Sequence, residues 1–355
     1  MKTYKNLYSQ ICTFENLFLS FRAAAKGKRG RADVAAFERD LEPNLFDLQE
    51  ELSSQTYRPG PYFHFPIRDP KPRIISAAPF RDRVVHHALV RVIEPIFERR
   101  FVHDSYACRV GKGTHRALGR CQLFARRFRY VLQCDLIHFF PSIDHAILRD
   151  ILAGRIADAR TMWLVDQIID SGCDVPNRYP PTYFPGDDLF AANHPRGLPI
   201  GNLTSQFWAN CYLNPLDQFI KRQLKCRGYV RYVDDLLLFA DDKRILWQWK
   251  AAVVDFLVGL RLRLHDREST VYPVNTGIPF LGFRIYPDRR RLKRRNGVAF
   301  ARRFRALRAA LAAGDITHDQ LRQSLQGWLA HAAHGDTEGL RRALVTAHPI
   351  PRSPL

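Results

Sequence analysis

Long apolar runs are missing from this 355-residue sequence. A bilayer-spanning helix needs about 20 mostly apolar residues in a row, and no segment comes near that, so no membrane association is expected. Met1-Lys2-Thr3-Tyr4 leads into a mixed polar stretch rather than the apolar core of a signal peptide. Cysteine pairs at metal-ligand spacing are missing too. Cys12, Cys108, Cys121, Cys134, Cys173, Cys211 and Cys226 include no Cys-x-x-Cys, are odd in number, and mostly sit among apolar or helical neighbours. They read as reduced core residues of a cytoplasmic protein, which argues against a zinc ribbon or a disulfide scaffold. There is no fixed-period repeat and no low-complexity tract. Acidic residues are outnumbered, and that deficit is the first positive signal.

Lys and Arg number 55 against 35 Asp and Glu, a net charge of +20 with a pI near 10. Such an excess points to a polyanionic partner, nucleic acid above all. Arg accounts for 44 of the basic residues and Lys for 11. Arg carries a planar donor fork suited to phosphate, although GC-rich coding gives the same bias. The hydrophobic share (46%) and charged share (25%) are those of a folded chain, not a disordered one. Residues 284–355 hold 15 Lys and Arg against 5 Asp and Glu, so half of the excess lies in the last 72 residues.

Patterning predicts alternating helices and strands. Residues 5–56 read as two helices, the first striped by Ile11, Phe14, Leu17, Phe18 and Phe21, the second running from about Val34 to Leu52. Five prolines exclude helix over 58–77, where Arg73-Ile74-Ile75-Ser76 reads as a strand. A helix is expected over 81–99, a strand over 130–135, and helices within 144–170. The stretch 171–196, rich in Pro, Gly, Asn and Asp, is a long loop of the kind that is often functional. A helix starts near Asn202, and Asn214-Pro215 reads as a restart with Asn as cap. A helix over 243–260 and a hairpin at 279–283 follow. Phe300, Phe304, Leu307 and Leu311 then form an apolar stripe with Arg302, Arg305 and Arg308 on another side. Gly314 ends that helix, and Thr317 with Gln320 opens the next as a capping box.

The chemistry-bearing segment is Gly228-Tyr229-Val230-Arg231-Tyr232-Val233-Asp234-Asp235-Leu236-Leu237-Leu238-Phe239. Two adjacent acids between β-prone flanks repel and lose hydration, so a fold keeps them where something cationic neutralises them. Hard oxygen ligands at a hairpin edge suit Mg²⁺. A water-exposed Asp-Asp turn is the plainer alternative. Asp135, followed by Leu136-Ile137-His138-Phe139-Phe140, ends another strand; alone it would be a helix N-cap. Together the three acids suit two metal ions and in-line phosphoryl transfer. Between them, Arg196-Gly197-Leu198-Pro199-Ile200-Gly201-Asn202-Leu203-Thr204-Ser205-Gln206 offers small residues on which a base pair could lie, or simply a loop-to-helix junction.

In this order, these pieces resemble a reverse transcriptase over about residues 60–330. Tyr232-Val233-Asp234-Asp235 resembles the family's Y-x-D-D motif, and Asp135 with Phe139-Phe140 its first catalytic segment. Lys71-Pro72-Arg73 and Arg109-Val110-Gly111-Lys112-Gly113 resemble its fingers blocks, and Phe280-Leu281-Gly282-Phe283 its primer-grip hairpin. Ile200-Gly201-Asn202-Leu203-Thr204-Ser205-Gln206 is similar to the I-G-x-x-x-S-Q form of the diversity-generating retroelement group, as are Arg81–Leu89, Ser105–Arg109 and Gln326–His331. The resemblance implies an α+β, right-hand polymerase fold. Its parts would be an N-terminal helical segment (1–57), fingers (58–124), a palm of antiparallel sheet plus helices (125–285) with an inserted loop at 171–196, and a basic helical thumb and tail (286–355).

The resemblance also implies roles. Asp135, Leu136, Asp234 and Asp235 would hold two Mg²⁺, with Mn²⁺ an alternative. Lys71 and Arg73 would clamp the triphosphate. Phe140, with Phe139 beside it, would bar a nucleotide 2′-OH, unless it is core packing. Ile200, Gly201 and Gln206 would lie at the template–nucleotide pair. Arg109, Lys112, Tyr232, Phe280, Gly282, Arg302 and Arg305 would contact nucleic acid. Implied partners are template RNA, the cDNA/RNA heteroduplex, dNTPs and a small basic accessory subunit, the accessory variability determinant. The segment Leu264–Thr270 departs from the pattern: Arg267 stands where a proton-donating lysine is usual, and Arg hardly deprotonates. No length for an endonuclease, integrase or RNase H domain is expected after the thumb. An antiphage-defence or retron-like enzyme and a non-catalytic, maturase-like RNA binder are the competing readings.

Overall fold

The computed structural model describes residues 2–67, 72–172, 179, 182–188, 190–191 and 194–347. No helix among them is long and apolar enough to cross a membrane. The α+β expectation holds: helices surround a four-stranded antiparallel sheet.

The N-terminal stripe is divided more finely than its periodicity predicts. Four helices, Tyr8–Ile11, Phe14–Ala25, Ala32–Arg39 and Leu41–Ser53, replace two. The Thr13 side chain accepts the Asn16 N–H and starts a new helix inside the first stripe. Asp40, at φ −112° and ψ 45°, breaks the second. Both stripes still bury one face: Phe21, Phe37 and Phe80 meet at 5.3–6.1 Å between ring centroids. Phe80 opens the long helix Phe80–Glu98, against which the N-terminal helices pack.

Strands β1 (Phe63–Ile67) and β2 (Arg73–Ala77) form an antiparallel ribbon. A helix over Thr114–Arg127, which the patterning reading did not separate, leads to the central sheet. Its strands are β3 (Tyr130–Cys134), β4 (Gly228–Tyr232), β5 (Asp235–Ala240) and β6 (Thr270–Pro273), in the order β4-β5-β3-β6. The uninterrupted run Leu236-Leu237-Leu238-Phe239 is explained by burial on both faces. Leu132, Cys134, Leu236 and Leu238 point into the large helical core. Their alternates Val131, Val230, Leu237 and Phe239 join a second core with Leu118, Phe124, Ile278 and Phe283.

Helices His145–Ala153 and Ala159–Asp170 fill the 144–170 segment as expected. The helix Leu203–Gln218 does not restart at Asn214-Pro215. It runs through Pro215, because Trp208, Tyr212, Leu213 and Leu216 are buried on either side and packing holds the turn that lost an N–H donor. The reading of every cysteine as core is also corrected: Cys108 is exposed, in a turn with φ +52°. The other five described thiols are buried, none of the six is bonded to another, and Cys173 lies outside the described residues.

Beyond the helix Lys243–Val258 comes a small sheet, β7 (Ile278–Phe280), β8 (Phe283–Ile285) and β9 (Arg290–Leu292). Leu281 and Gly282 both have positive φ, +44° and +87°, the pattern of a tight two-residue hairpin. The last helices, Arg294–Ala313, His318–Ala332 and Glu338–Ala347, have their own core of Phe300, Phe304, Leu321, Leu325 and Leu344. Gly314, at φ +82°, ends the first, and Thr317 and Gln320 cap the second reciprocally, as the sequence predicts.

His86, on the helix Phe80–Glu98, is 1% exposed and neither ring nitrogen has a hydrogen-bond partner. Burial, reinforced by His87 and Arg83, pushes its pKa down to about 3. The folded value lies below the unfolded one, so this neutral imidazole supports the fold fully above about pH 6.5. That support is lost as the pH falls toward 3. Between pH 7 and pH 5 the loss should reach about 2 kcal/mol in urea unfolding. His86→Leu should remove that part of the acid sensitivity, and an equally steep decline in both proteins would contradict it.

Candidate active site

The acid pair sits where β4 turns into β5. Tyr232 and Asp235 face each other as the last paired residues, leaving Val233 and Asp234 as the connecting turn. Val233 has φ +55°, a conformation that a β-branched residue rarely adopts, at a cost of about 1–3 kcal/mol. On the other edge of β5, the β3 register ends at Cys134 opposite Leu236. One further step carries Asp135 to the position facing Asp235. Facing residues on antiparallel strands lie about 4.5–5.5 Å apart between Cα atoms. Asp135 and the adjacent pair Asp234-Asp235, far apart in sequence, therefore share one end of the sheet, and all three are half-buried.

The Asp135 segment is fixed by its neighbours. The Asp135 carbonyl accepts the His265 N–H at 2.8 Å, and its own N–H meets Ser269 Oγ at 3.4 Å. Leu136 is 3% exposed and bridges Leu264. Among the described residues, no group of three or more His, Cys, Asp or Glu side chains forms a ready-made metal cage. The convergence is one of backbone positions. The donor set nevertheless suits hard divalent cations, since it offers carboxylate oxygens in half-buried surroundings that penalise uncompensated charge. Lys293, which sequence reasoning missed, lies within electrostatic reach of Asp235. Burial pulls its pKa below the ordinary lysine value, while the carboxylate acts in the opposite direction.

A second group of expected residues also meets. The Leu198 N–H donates to the Phe140 carbonyl at 3.0 Å and the Gly197 N–H to Ile143 at 2.8 Å, which ties the loop before Asn202 to the Asp135 segment. The same loop is stapled to β2: the Ser76 N–H donates to the Ile200 carbonyl at 3.0 Å, and Asn202 Nδ2 to the Ser76 carbonyl at 2.8 Å. Gly201, at φ +118°, lies so close to β2 that a Cβ would come within 2.9 Å of Ile75 Cγ2. Gln206 is exposed on the first turn of Leu203–Gln218. Phe139 is buried, while its neighbour Phe140 is only partly so, with the rings edge-to-face at 5.4 Å.

Other expectations fare differently. Arg73 is exposed at the start of β2, and Lys71 lies outside the described residues. Arg109, expected at nucleic acid, is engaged within the fold. Its side chain is 5% exposed, forks onto Glu98 at 2.6–3.0 Å, and donates to the carbonyls of Val102 and Ser105. Arg in a loop reads as a phosphate contact, but here the donors brace the loop. Phe280 is likewise a core residue, 1% exposed, because its strand position turns it into the second core. Gly282 holds the hairpin turn, its carbonyl accepting from Lys293 N–H and Asn296 Nδ2. Lys112 donates to His103 and lies over the Tyr106 ring, Tyr232 meets Thr114 at 3.1 Å, and Arg302 and Arg305 are exposed. Sequence reasoning also missed Arg231 and Asp217, both fully buried below the turn; the only signal was a charge at an apolar position of β4.

Residues 66–285 match the model of the family described as reverse transcriptase (RNA-dependent DNA polymerase). The chain belongs to the reverse transcriptase family. With it comes the right-hand polymerase fold expected from the sequence. Among curated proteins, it is similar to Protein YkfC of Escherichia coli (strain K12), 28% identical over 285 residues, covering 69% of this chain and 71% of that protein. It is also similar to the group II intron-encoded protein LtrA of Lactococcus lactis subsp. cremoris, 26% identical over 60% of this chain and 33% of that one. Nuclear intron maturase 2, mitochondrial, of Arabidopsis thaliana is 24% identical over 48% of this chain and 26% of its own length. The matches thus span most of YkfC but only a third or less of the intron proteins. Apo telomerase from Candida tropicalis, truncated from its C-terminal domain, is similar in structure at a TM-score of 0.46 and 11% identity, covering 69% of this chain and 59% of that chain.

Gly201→Ala tests the staple between the loop and β2. The added methyl must displace Ile75 and adopt an unfavourable φ. Primer extension should fall by roughly 10-fold or more, as for a small misplacement of a reacting group, while the thermal midpoint moves little. A folded variant with wild-type extension would detach this loop from the site.

Proposed function

We propose that this reverse transcriptase is an active RNA-directed DNA polymerase whose site is built on Asp135, Asp234 and Asp235. The observation that carries the reading is the β3–β5–β4 register, which sets these three acids at one end of the sheet. They would hold two Mg²⁺, or Mn²⁺ in their place, with Leu136 beside Asp135 closing the set. When bound, the ions supply Lewis acidity toward the primer 3′-hydroxyl and the triphosphate oxygens.

The chain's own residues orient the reactants and exclude the wrong ones. Phe140, partly exposed where Phe139 is buried, blocks the space of a 2′-hydroxyl. Lys71 and Arg73 clamp the triphosphate. Ile200 and Gly201, with Gln206 one turn on, form the floor under the template–nucleotide pair. Arg302 and Arg305 grip the backbone of the cDNA/RNA heteroduplex without reading sequence.

The biological role we infer is error-prone copying of a template-repeat RNA in a diversity-generating retroelement. The I-G-x-x-x-S-Q form of residues 200–206 supports it, and the small basic accessory subunit belongs to the same reading. The names of the curated relatives leave a maturase-like, non-catalytic role as the competing outcome.

Primer extension on an RNA template decides between them. Asp234→Asn should reduce incorporation to the enzyme-free level, and equal incorporation by both proteins would remove the assigned site. Phe140→Ala should raise ribonucleotide use relative to deoxyribonucleotide by roughly 10- to 100-fold, the discrimination one shape contact supplies. Sequencing the cDNA should show errors concentrated opposite template adenine, and uniform fidelity would argue for a defence or retron-like role.

A further inference from the structure

Arg231 lies on β4, two residues before the turn residue Val233, with its side chain fully buried. Its Nε and Nη2 donate to the two oxygens of Asp217 at 2.8 and 2.7 Å. Tyr229 OH donates to the same carboxylate at 2.6 Å, which completes a buried pair with both partners 0% exposed. The remaining terminal nitrogen, Nη1, donates to Asn210 Oδ1 at 3.1 Å and to the Val233 carbonyl at 3.2 Å. Asn210 is itself fixed, its Nδ2 donating to the Ala107 carbonyl at 2.9 Å. The Arg231 backbone is held on its far side, its N–H donating to Asp104 and its carbonyl accepting from Tyr106.

A buried ion pair is a weak source of stability, because desolvation offsets most of its attraction. What this one does have is a spare donor aimed at a strained position. Val233 adopts φ +55° against its β-branched preference, and the Nη1 contact fixes the carbonyl of that residue. A lysine at 231 carries one compact ammonium, which cannot span both the carboxylate and the carbonyl.

We propose that Arg231 is a positioning residue for the polymerase reaction. Anchored by Asp217 and aimed by Asn210, it clamps the Val233 carbonyl and so holds Asp234 toward the end of the sheet where Asp135 and Asp235 meet. It touches neither substrate nor reacting atoms. This inference rests on the active site assigned above.

The test is Arg231→Lys in the full-length chain, read by hydrogen exchange and by kinetics. The amides of residues 233–235 should exchange about 10-fold faster or more, while the β3–β5 ladder keeps its protection. The kcat should fall by about 10- to 100-fold, with the dNTP KM and primer–template affinity within about 3-fold of wild type. Adding Val233→Asn, a residue that accepts positive φ, should recover part of the lost kcat in the Arg231→Lys background. Unchanged exchange at 233–235 would overturn the proposal, as would exchange accelerated equally throughout the central sheet, which marks a purely structural role. Should Arg231→Lys fail to fold, Asn210→Ala serves instead. It leaves the Arg231–Asp217 pair intact and should loosen the same three amides, and protection there would equally overturn the proposal. Asp234→Asn separates the two levels. If it extends primers like wild type, the site assignment fails; if it is inert while the Arg231→Lys turn stays protected, only the clamp fails.

Discussion

Three carboxylates at one end of a sheet repel one another, and the rest of the structure is arranged around holding them there. The restraint is the antiparallel register of β3, β5 and β4. A slip of one residue would turn Leu236 and Leu238 from one core to the other and move Asp135 out of line with Asp235. Because β5 is buried on both faces, neither face can yield without exposing apolar surface. The hydrophobic run that follows the acids is thus what fixes their position, and the charge cost at the end of the sheet is borne by burial behind it.

Polar contacts then tie the surrounding loops to this frame, and several of them use an acid. Asp82 accepts from Tyr57 OH and the Gly60 N–H, both at 2.8 Å, and fixes the approach to β1. Asp104 accepts from Arg120 at 2.8 Å, and its carbonyl takes the Arg231 N–H at the start of the turn-bearing strand. Asp144 N-caps the helix His145–Ala153 and is met by His194 at 2.9 Å, while Arg261 forks onto Asp187. Burying such groups is tolerable only when they are fully bonded. The loop carrying Ile200 and Gly201 is held instead by bonds to the Phe140 and Ile143 carbonyls on one side and to Ser76 on the other, and Gly201 sits so close to β2 that an added methyl would meet Ile75.

The legible part of the sequence was the part governed by local rules. The acid pair flanked by β-prone residues, the Thr317–Gln320 cap and the Gly314 stop each follow from a few neighbours, and each element appears in the structure. What could not be read depends on distant partners. Arg109 and Phe280 look like surface contacts until the fold supplies Glu98 and the second core. Pro215 looks like a helix start until buried neighbours on both sides carry the helix through it. The strain at Val233 and the guanidinium that answers it are invisible for the same reason: Asp217 and Asn210 reach Arg231 only after a helix and a strand have packed. The candidate acids were therefore legible, while the means of holding them was not.

The distribution of charge gives the frame a direction. The chain carries +20 overall, yet its three candidate catalytic acids crowd one end of the central sheet. A polyanion approaching them meets repulsion at short range and attraction elsewhere. The attraction is concentrated in residues 284–355, where Arg302 and Arg305 stand exposed on a helix whose own core does not depend on the central sheet. Phosphates bound there would be held by charge alone, a contact that weakens steeply with salt and is indifferent to sequence. The acids, half-buried and short-ranged, are screened far less. Grip and chemistry are in this way governed by two electrostatic regimes, one long-ranged and permissive, the other local and exacting. The hairpin at Gly282 joins them: its carbonyl accepts the Lys293 N–H just before the basic helix begins, and the Lys293 side chain lies under the influence of Asp235.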